Sequence, residues 1–256
     1  MTTVIYDGTY QGWLTAIFEI FEYKLKDVFF AKEQGASASL FSPPHSVITD
    51  DTKAKRVMKG LEERLSVEGM RRVYRTFLCE EQGSEELLWR YVSHVFLNKE
   101  NIETDFSNPS VWKVKQTSKR VKYEAHRMKA YVRFKLTKDQ LYYAIVEPDH
   151  NVLPLIATHF KGRYSDQRWL IYDVKRKYGI YYDLQTVTTV EIDFNSAITS
   201  SRYIAEISDD REEFFQELWR RYFSSVNIAA RKNIKLQLKE MPKRYWKHMT
   251  ERMLQT

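Results

Sequence analysis

One cysteine, six prolines and eight glycines are few for 256 residues, and each shortage excludes something. Cys79 alone cannot close a disulfide within the chain or build a cysteine zinc cluster, which agrees with a reducing compartment. Scarce Gly and Pro exclude collagenous and low-complexity chains, and leave little material for a glycine-rich phosphate cradle. No apolar run approaches the ~20 residues of a membrane helix, and MTTVIYDGTY has neither a basic stretch nor an uninterrupted apolar segment, so a cytoplasmic protein is expected. The sequence also has no Walker loop, dinucleotide GxGxxG, GxSxG elbow or HExxH pair. What it has is 43% hydrophobic and 14% aromatic residues, enough for a real core, and 29% charged residues.

The net charge of +7 hides a segregation. Residues 1–112 carry a net of −4, residues 113–138 a net of +9, residues 139–218 a net of −6, and residues 219–256 a net of +8. Two basic blocks on an otherwise acidic chain suit a polyanionic partner better than a uniform basic coat would.

Periodicity places the elements. Leu14, Ile17, Phe18, Phe21, Leu25 and Val28 predict a helix over 12–31, and the stretch from Gly35 to Asp51 reads as a long loop. Helices follow over 51–65, 67–79 and from Ser84, the expected N-cap, to Phe96. Asn108-Pro109-Ser110 opens a basic helix over 111–129 with Val111, Val114, Val121, Ala125 and Met128 as its apolar stripe. Tyr131 to Leu136 and Leu141 to Glu147 predict a hairpin. A turn at Pro148-Asp149-His150-Asn151 leads into a crossover helix from Val152 to Phe160. Arg168–Val174 and Gly179–Leu184 predict a second hairpin, with Thr186–Phe194 as a further strand. Helices are expected over 208–223, 227–239 and 243–253. The expected fold is α+β, a single domain over residues 1–256, in which an antiparallel sheet over about 130–194 is flanked by an N-terminal helical region ending at residue 129 and a C-terminal helical region over 208–256.

Two sets of candidate residues emerge. Glu124 and His126 enter the predicted hairpin while Asp149, His150 and His159 leave it, so these five are candidates for acid–base chemistry; Asp7 and Asp173 are further acids. Their spacing matches no metal-ligand set, and no metal or cofactor is expected. The second set is cationic: Lys115, Lys119, Arg120, Lys122, Arg127 and Arg133 in the first block, and Arg220, Arg221, Arg231, Lys232, Lys235, Lys243, Arg244 and Lys247 in the second. Several cations on one helix can face a phosphate backbone together. Among the aromatics between them, Trp219, Phe223 and Trp246 read as core anchors of amphipathic helices.

Tyr6-Asp7-Gly8-Thr9-Tyr10, Glu124-Ala125-His126-Arg127-Met128-Lys129, Pro148-Asp149-His150-Asn151-Val152-Leu153-Pro154, Trp169-Leu170-Ile171-Tyr172-Asp173 and Met241-Pro242-Lys243-Arg244-Tyr245-Trp246-Lys247 together resemble a bacterial family of DNA metabolism and DNA repair proteins, a domain of unknown function. The resemblance spans nearly the whole chain. It implies a partner, a radical-SAM protein that modifies or repairs DNA. Many relatives continue into a uracil-DNA-glycosylase-like domain; here the sequence stops shortly after Trp246 with no glycosylase motif, so that activity is not expected. Three functions stay open at this point. They are a DNA- or RNA-binding accessory factor, a nucleic-acid-processing enzyme using Glu124, His126, Asp149, His150 or His159, and an interaction module with no nucleic-acid role.

Overall fold

The computed structural model describes residues 2–33, 44–191, 217–218 and 238–249. The chain divides into two compact units, Met1–Lys122 and Tyr123–Thr256.

The first unit opens with strand β1 (Thr2–Tyr6), helix α1 (Tyr10–Glu22), and strands β2 (Val28–Lys32) and β3 (His45–Ser46). These strands form a parallel sheet in the order β2-β1-β3. This corrects the expectation of one helix over 12–31 and a loop to Asp51. The helix ends at Glu22, and the chain turns through Lys24 and Asp27, both in the left-handed region at φ 53° and 49°, before pairing as β2. Helices α2 (Asp51–Glu62), α3 (Val67–Phe77) and α4 (Ser84–Leu97) follow where periodicity predicts them. Asp50 and Ser66 cap the first two: Asp50 Oδ1 accepts from Thr52 N–H, and Ser66 Oγ from Gly69 N–H. Gly83, not Ser84, is the cap of α4. Trp13, Leu14 and Ile17 of α1 pack with Leu61, Val73, Leu88 and Val92 in one buried core.

Helix α5 (Pro109–Tyr131) follows, and the division between the units falls within it. Val111, Val114, Val121, Ala125 and Met128 are all buried, as the stripe requires. The second unit continues with β4 (Lys135–Leu136), β5 (Tyr142–Val146), α6 (Leu153–Arg163), β6 (Trp169–Asp173), β7 (Tyr178–Tyr182) and β8 (Val187–Glu191), in the sheet order β4-β5-β6-β7-β8. The fold is α+β. Three neighbouring pairs are antiparallel; β5 and β6 run parallel, as the α6 crossover between them demands. The strand expected from Tyr131 shrinks to Lys135–Leu136 because α5 runs on to Tyr131. Val146, Ile156, Phe160, Trp169, Ile171 and Tyr182 are buried in this unit. Of the C-terminal helices, residues 208–216, 219–237 and 250–253 lie outside the described residues, and Lys243–His248 is a 3-10 helix rather than the start of an α-helix.

Candidate functional site

Glu124 lies on α5 three positions after buried Val121 and four before buried Met128, so its carboxylate points inward and is only 3% exposed. Charge at such a site is costly unless each oxygen is satisfied. Oε1 accepts from the Asp149 N–H at 3.0 Å, the Tyr245 hydroxyl at 2.7 Å and Arg244 Nη2 at 3.4 Å. Oε2 accepts from the His150 N–H at 2.8 Å and lies 4.0 Å from the His150 ring Nε2. Burial by itself raises the carboxyl's pKa, and the Tyr245 hydroxyl and the two N–H groups outweigh it, leaving the pKa below its ordinary value. Burial, and then the Glu124 charge, push the Tyr245 phenol upward.

The turn between β5 and α6 is gripped from its other side as well. Arg176, in the β6–β7 turn, donates from Nη1 to the Pro148 carbonyl and from Nη2 to the Asp149 carbonyl, while Lys175 Nζ donates to the latter at 3.1 Å. The same guanidinium bridges Asp173 at 2.8 Å, a carboxylate with no exposed surface. Burial raises the Asp173 pKa, and Arg176 only partly opposes it. Tyr178 OH bonds Asn151 Oδ1. Asp149 turns its own carboxylate outward to Arg244, at 2.8 Å.

Of the five acid–base candidates, then, Glu124, Asp149 and His150 meet, and they meet as a tie. Donors engage both Glu124 oxygens, so this carboxylate holds the turn and the 3-10 segment in place. His126 is exposed on α5. His159 is exposed too. The buried face of α6 is Leu153, Ile156 and Phe160, and helical spacing turns residue 159 away from it. Burial, and then the positive charges of Lys129 and Arg163, hold the His159 pKa down. Asp7 serves a turn: it accepts from the N–H and hydroxyl of Thr9, both at 2.8 Å, and from Thr49 Oγ1 at 2.7 Å. Gly12 is required there, since a Cβ would lie 2.1 Å from Asp7 Oδ1. Cys79 is a buried thiol, in no disulfide among the described residues, and burial pushes its pKa up to about 11.

The cationic candidates fall into two groups. Some are committed within the protein. Arg120 forms a two-pronged pair with Glu81 at 2.6 and 2.7 Å, Arg127 donates to the Lys239 carbonyl, and Arg133 to the Ala130 carbonyl. Arg244 joins Glu124 and Asp149, and Lys247 pairs with Glu147. Lys115 Nζ sits 3.9 Å from the Phe106 ring centre. Tyr245, 4% exposed, anchors the 3-10 segment in the role expected of Trp246, which is half-buried with its Nε1 on the Met241 carbonyl. The second group faces outward. Along α5 the exposed positions include Trp112, Lys119, Lys122, Tyr123, His126 and Lys129; helical geometry puts Trp112, Lys119, Tyr123 and His126 on the side opposite Val114, Val121 and Met128, with Lys122 and Lys129 on its flank. Lys243 is also exposed. Arg220, Arg221, Arg231, Lys232 and Lys235 lie outside the described residues, as do Trp219 and Phe223.

The structural partners Tyr245 and Arg176 were not assigned these roles by sequence, because neither a hydroxyl nor a turn arginine signals which distant group it will meet. No described helix is long and apolar enough to cross a membrane. No curated protein matches the sequence. A family model described as a domain of unknown function, DUF4130, matches residues 82–251, a span that holds Glu124, the Asp149–His150 turn, Asp173, Arg176 and the Arg244–Tyr245 pair. Because the match covers about two thirds of the chain and takes in every member of this tie, the protein belongs to the DUF4130 family.

Proposed function

We propose that this protein is a nucleic-acid-binding accessory factor of DNA repair or DNA metabolism, which holds a strand on the outward face of α5 and presents it to a radical-SAM partner enzyme. The observation that supports the binding role is the exposure of cations along that helix: Lys119, Lys122 and Lys129 are exposed at three- and seven-residue spacings, with Arg120, which Glu81 holds, beside them. Helix positions three apart lie ~5–6 Å from one another and those seven apart follow two turns along the same side, so several can engage one phosphate backbone at once. Trp112 and Tyr123, 49% and 55% exposed, share the face and offer planes on which unpaired bases can stack. Arg163 extends the positive field around Lys129, and burial together with the two charges keeps His159 neutral. The partner enzyme is what the resemblance of nearly the whole chain to DNA metabolism and repair proteins implies.

The test is fluorescence anisotropy with labelled single- and double-stranded oligonucleotides at several salt concentrations. Binding should fall steeply with salt, show little sequence preference and favour the single strand. Replacing Lys119, Lys122 and Lys129 by Glu should cost about 3 kcal/mol, at roughly one per phosphate contact, with the circular dichroism spectrum unchanged. A flat salt response, or wild-type affinity in the triple variant, would refute the assignment.

A further inference from the structure

The first unit leaves one edge of its sheet open. β3 is the outer strand of the order β2-β1-β3, and the bond from the Val47 N–H to the Ile5 carbonyl, at 2.8 Å, carries its pairing one residue further. His45 and Val47 therefore turn their backbone groups toward β1, and alternation turns those of Ser46 and Ile48 outward. Neither of these two has a further hydrogen bond among the described residues, and both are exposed, Ile48 at 87%. An extended chain laid along this edge would find two N–H donors and two carbonyl acceptors waiting.

Beside the edge, between α1, β3 and the start of α2, lies an open cleft of about 640 Å³ whose walls accept rather than donate. At its back Glu19, 7% exposed, takes Lys53 Nζ on Oε1 and His45 Nε2 on Oε2, both at 2.7 Å. The carboxylate holds the hydrogen on Nε2, so Nδ1 of the neutral ring is a lone pair, with no partner among the described residues. Lys53, the one ammonium of the lining, is neutralised by Glu19 and by Glu22 at 3.9 Å. Asp50 caps α2 through Oδ1, and Asp51 has no hydrogen bond or ion pair among the described residues. Tyr23, 55% exposed and edge-on to the His45 ring at 5.5 Å, adds an aromatic wall.

We propose that this edge binds an extended basic segment of a partner protein, which pairs its backbone with Ser46 and Ile48 and sends a Lys or Arg side chain across the cleft toward Asp51. This is peptide recognition by strand addition: the backbone supplies the hold and the cleft the selectivity. Three carboxylates against one neutralised ammonium in the lining disfavour both nucleic acid and acidic peptides, and residues 1–112, with a net charge of −4, draw a cation in the same direction. The site shares no residue with the α5 face and does not rest on the role assigned to it.

The probe is a fluorescein-labelled peptide of about nine residues, capped at both ends, in which Lys alternates with Val so that it favours an extended chain. Its anisotropy is compared with that of a peptide carrying Glu for Lys and of a Lys peptide N-methylated at every amide, which keeps the charge and loses the donors of the backbone. Saturable binding of the Lys peptide is expected, weakened about tenfold by Asp51→Lys and at least about tenfold by N-methylation, with the Glu peptide not bound. Asp51 is exposed and unpaired among the described residues, so circular dichroism should be unchanged in that variant. Ile48→Pro, which deletes an outward N–H, should weaken binding at least about fivefold; the N-methylated peptide tests the same bond without altering the protein. A triple α5 variant with Lys119, Lys122 and Lys129 replaced should bind the peptide normally. Four results would each overturn the proposal: equal binding of the Lys and Glu peptides; undiminished binding of the N-methylated peptide, which would leave a charge contact with no strand pairing; displacement of the Lys peptide by an oligonucleotide in the triple variant; or self-association in the ultracentrifuge that Asp51→Lys abolishes, which would make the occupant a second copy.

Discussion

The outward face of α5 and the segment from Met241 to Met249 come from the two most basic stretches of the sequence, yet they use charge in opposite ways. Lys122 is exposed on a helix whose other side is apolar. Arg244, also partly exposed, has Asp149 at 2.8 Å, Glu124 at 3.4 Å and the Tyr245 hydroxyl at 2.9 Å. One region leaves charge at the surface and the other pairs it with the protein's own carboxylates. A count of lysines and arginines therefore overstates the binding surface wherever acids far away in sequence fold back onto them.

The sharpest way to break this contrast is at Glu124. Replacing it by Ala leaves the Tyr245 hydroxyl and the Asp149 and His150 N–H groups without their shared acceptor. Removing one partner of a buried charged network costs about 3–5 kcal/mol, to be read from urea denaturation. Oligonucleotide affinity of the folded fraction should stay at the wild-type level. If affinity fell as far as stability did, the tie would belong to the binding surface after all.

The next effect is smaller and concerns binding alone. Where the α5 triple variant should lose about 3 kcal/mol, one for each phosphate contact, Arg244→Gln and Lys247→Gln should lose little binding while lowering the denaturation midpoint. Equal losses in the two sets would mean that the ion pairs open when nucleic acid arrives.

Acid pH separates the carboxylates of the tie. Glu124, with its pKa lowered from 4.5, binds protons less readily folded than unfolded. Its contribution is therefore present above the unfolded pKa and lost as pH falls through the folded one. Asp173 has the opposite sign: burial raises its folded pKa above 3.8, so its contribution is present below the unfolded value and is lost as pH rises through the folded one. Wild-type stability should then fall with acid only gradually between about pH 5 and 3. Glu124→Gln should flatten that fall and Asp173→Asn should steepen it. Identical slopes in all three proteins would show that neither carboxyl changes its proton affinity on folding.

How much of this was legible beforehand follows from the range of the interactions. The α5 stripe, helices α2 and α3 and the β6–β7 hairpin are local, and periodicity or turn chemistry predicts them. The N-terminal sheet is not. Val28 continues the three- and four-residue rhythm of α1, and the break that ends the helix is made by Lys24 and Asp27 in left-handed conformations that sequence normally assigns to glycine. Pairing Val4 with both His45 and the β2 strand depends on partners far along the chain. At the site, Glu124, Asp149 and His150 could be named together because a hairpin was expected to bring them close. Tyr245 is 121 positions from Glu124, and nothing local distinguishes a buried phenol that donates to a carboxylate from one that covers a core. His159 failed for the converse reason, since its neighbour Phe160 is the buried member of the pair.

The smallest expected effect is the one that bears most directly on the division of cations. Arg120 lies on α5 among the lysines but is held by Glu81 through two N–H···O bonds, with the two side chains 53% and 47% exposed. Pairs so open to water contribute about 0–1 kcal/mol, so Glu81→Gln should leave the denaturation midpoint nearly where it was. It should, however, release a positive charge beside Lys119 and Lys122. If charge neutralisation is what separates binding from non-binding cations, oligonucleotide affinity should rise in this variant by up to about fivefold at low salt, and its salt dependence should steepen by about one phosphate contact. The double variant Glu81→Gln with Arg120→Gln should return both quantities to wild type. A gain that survives the loss of Arg120 would mean that Glu81 acts only by repelling phosphate, and an absence of gain would place Arg120 outside the binding face, narrowing it to Lys119, Lys122 and Lys129.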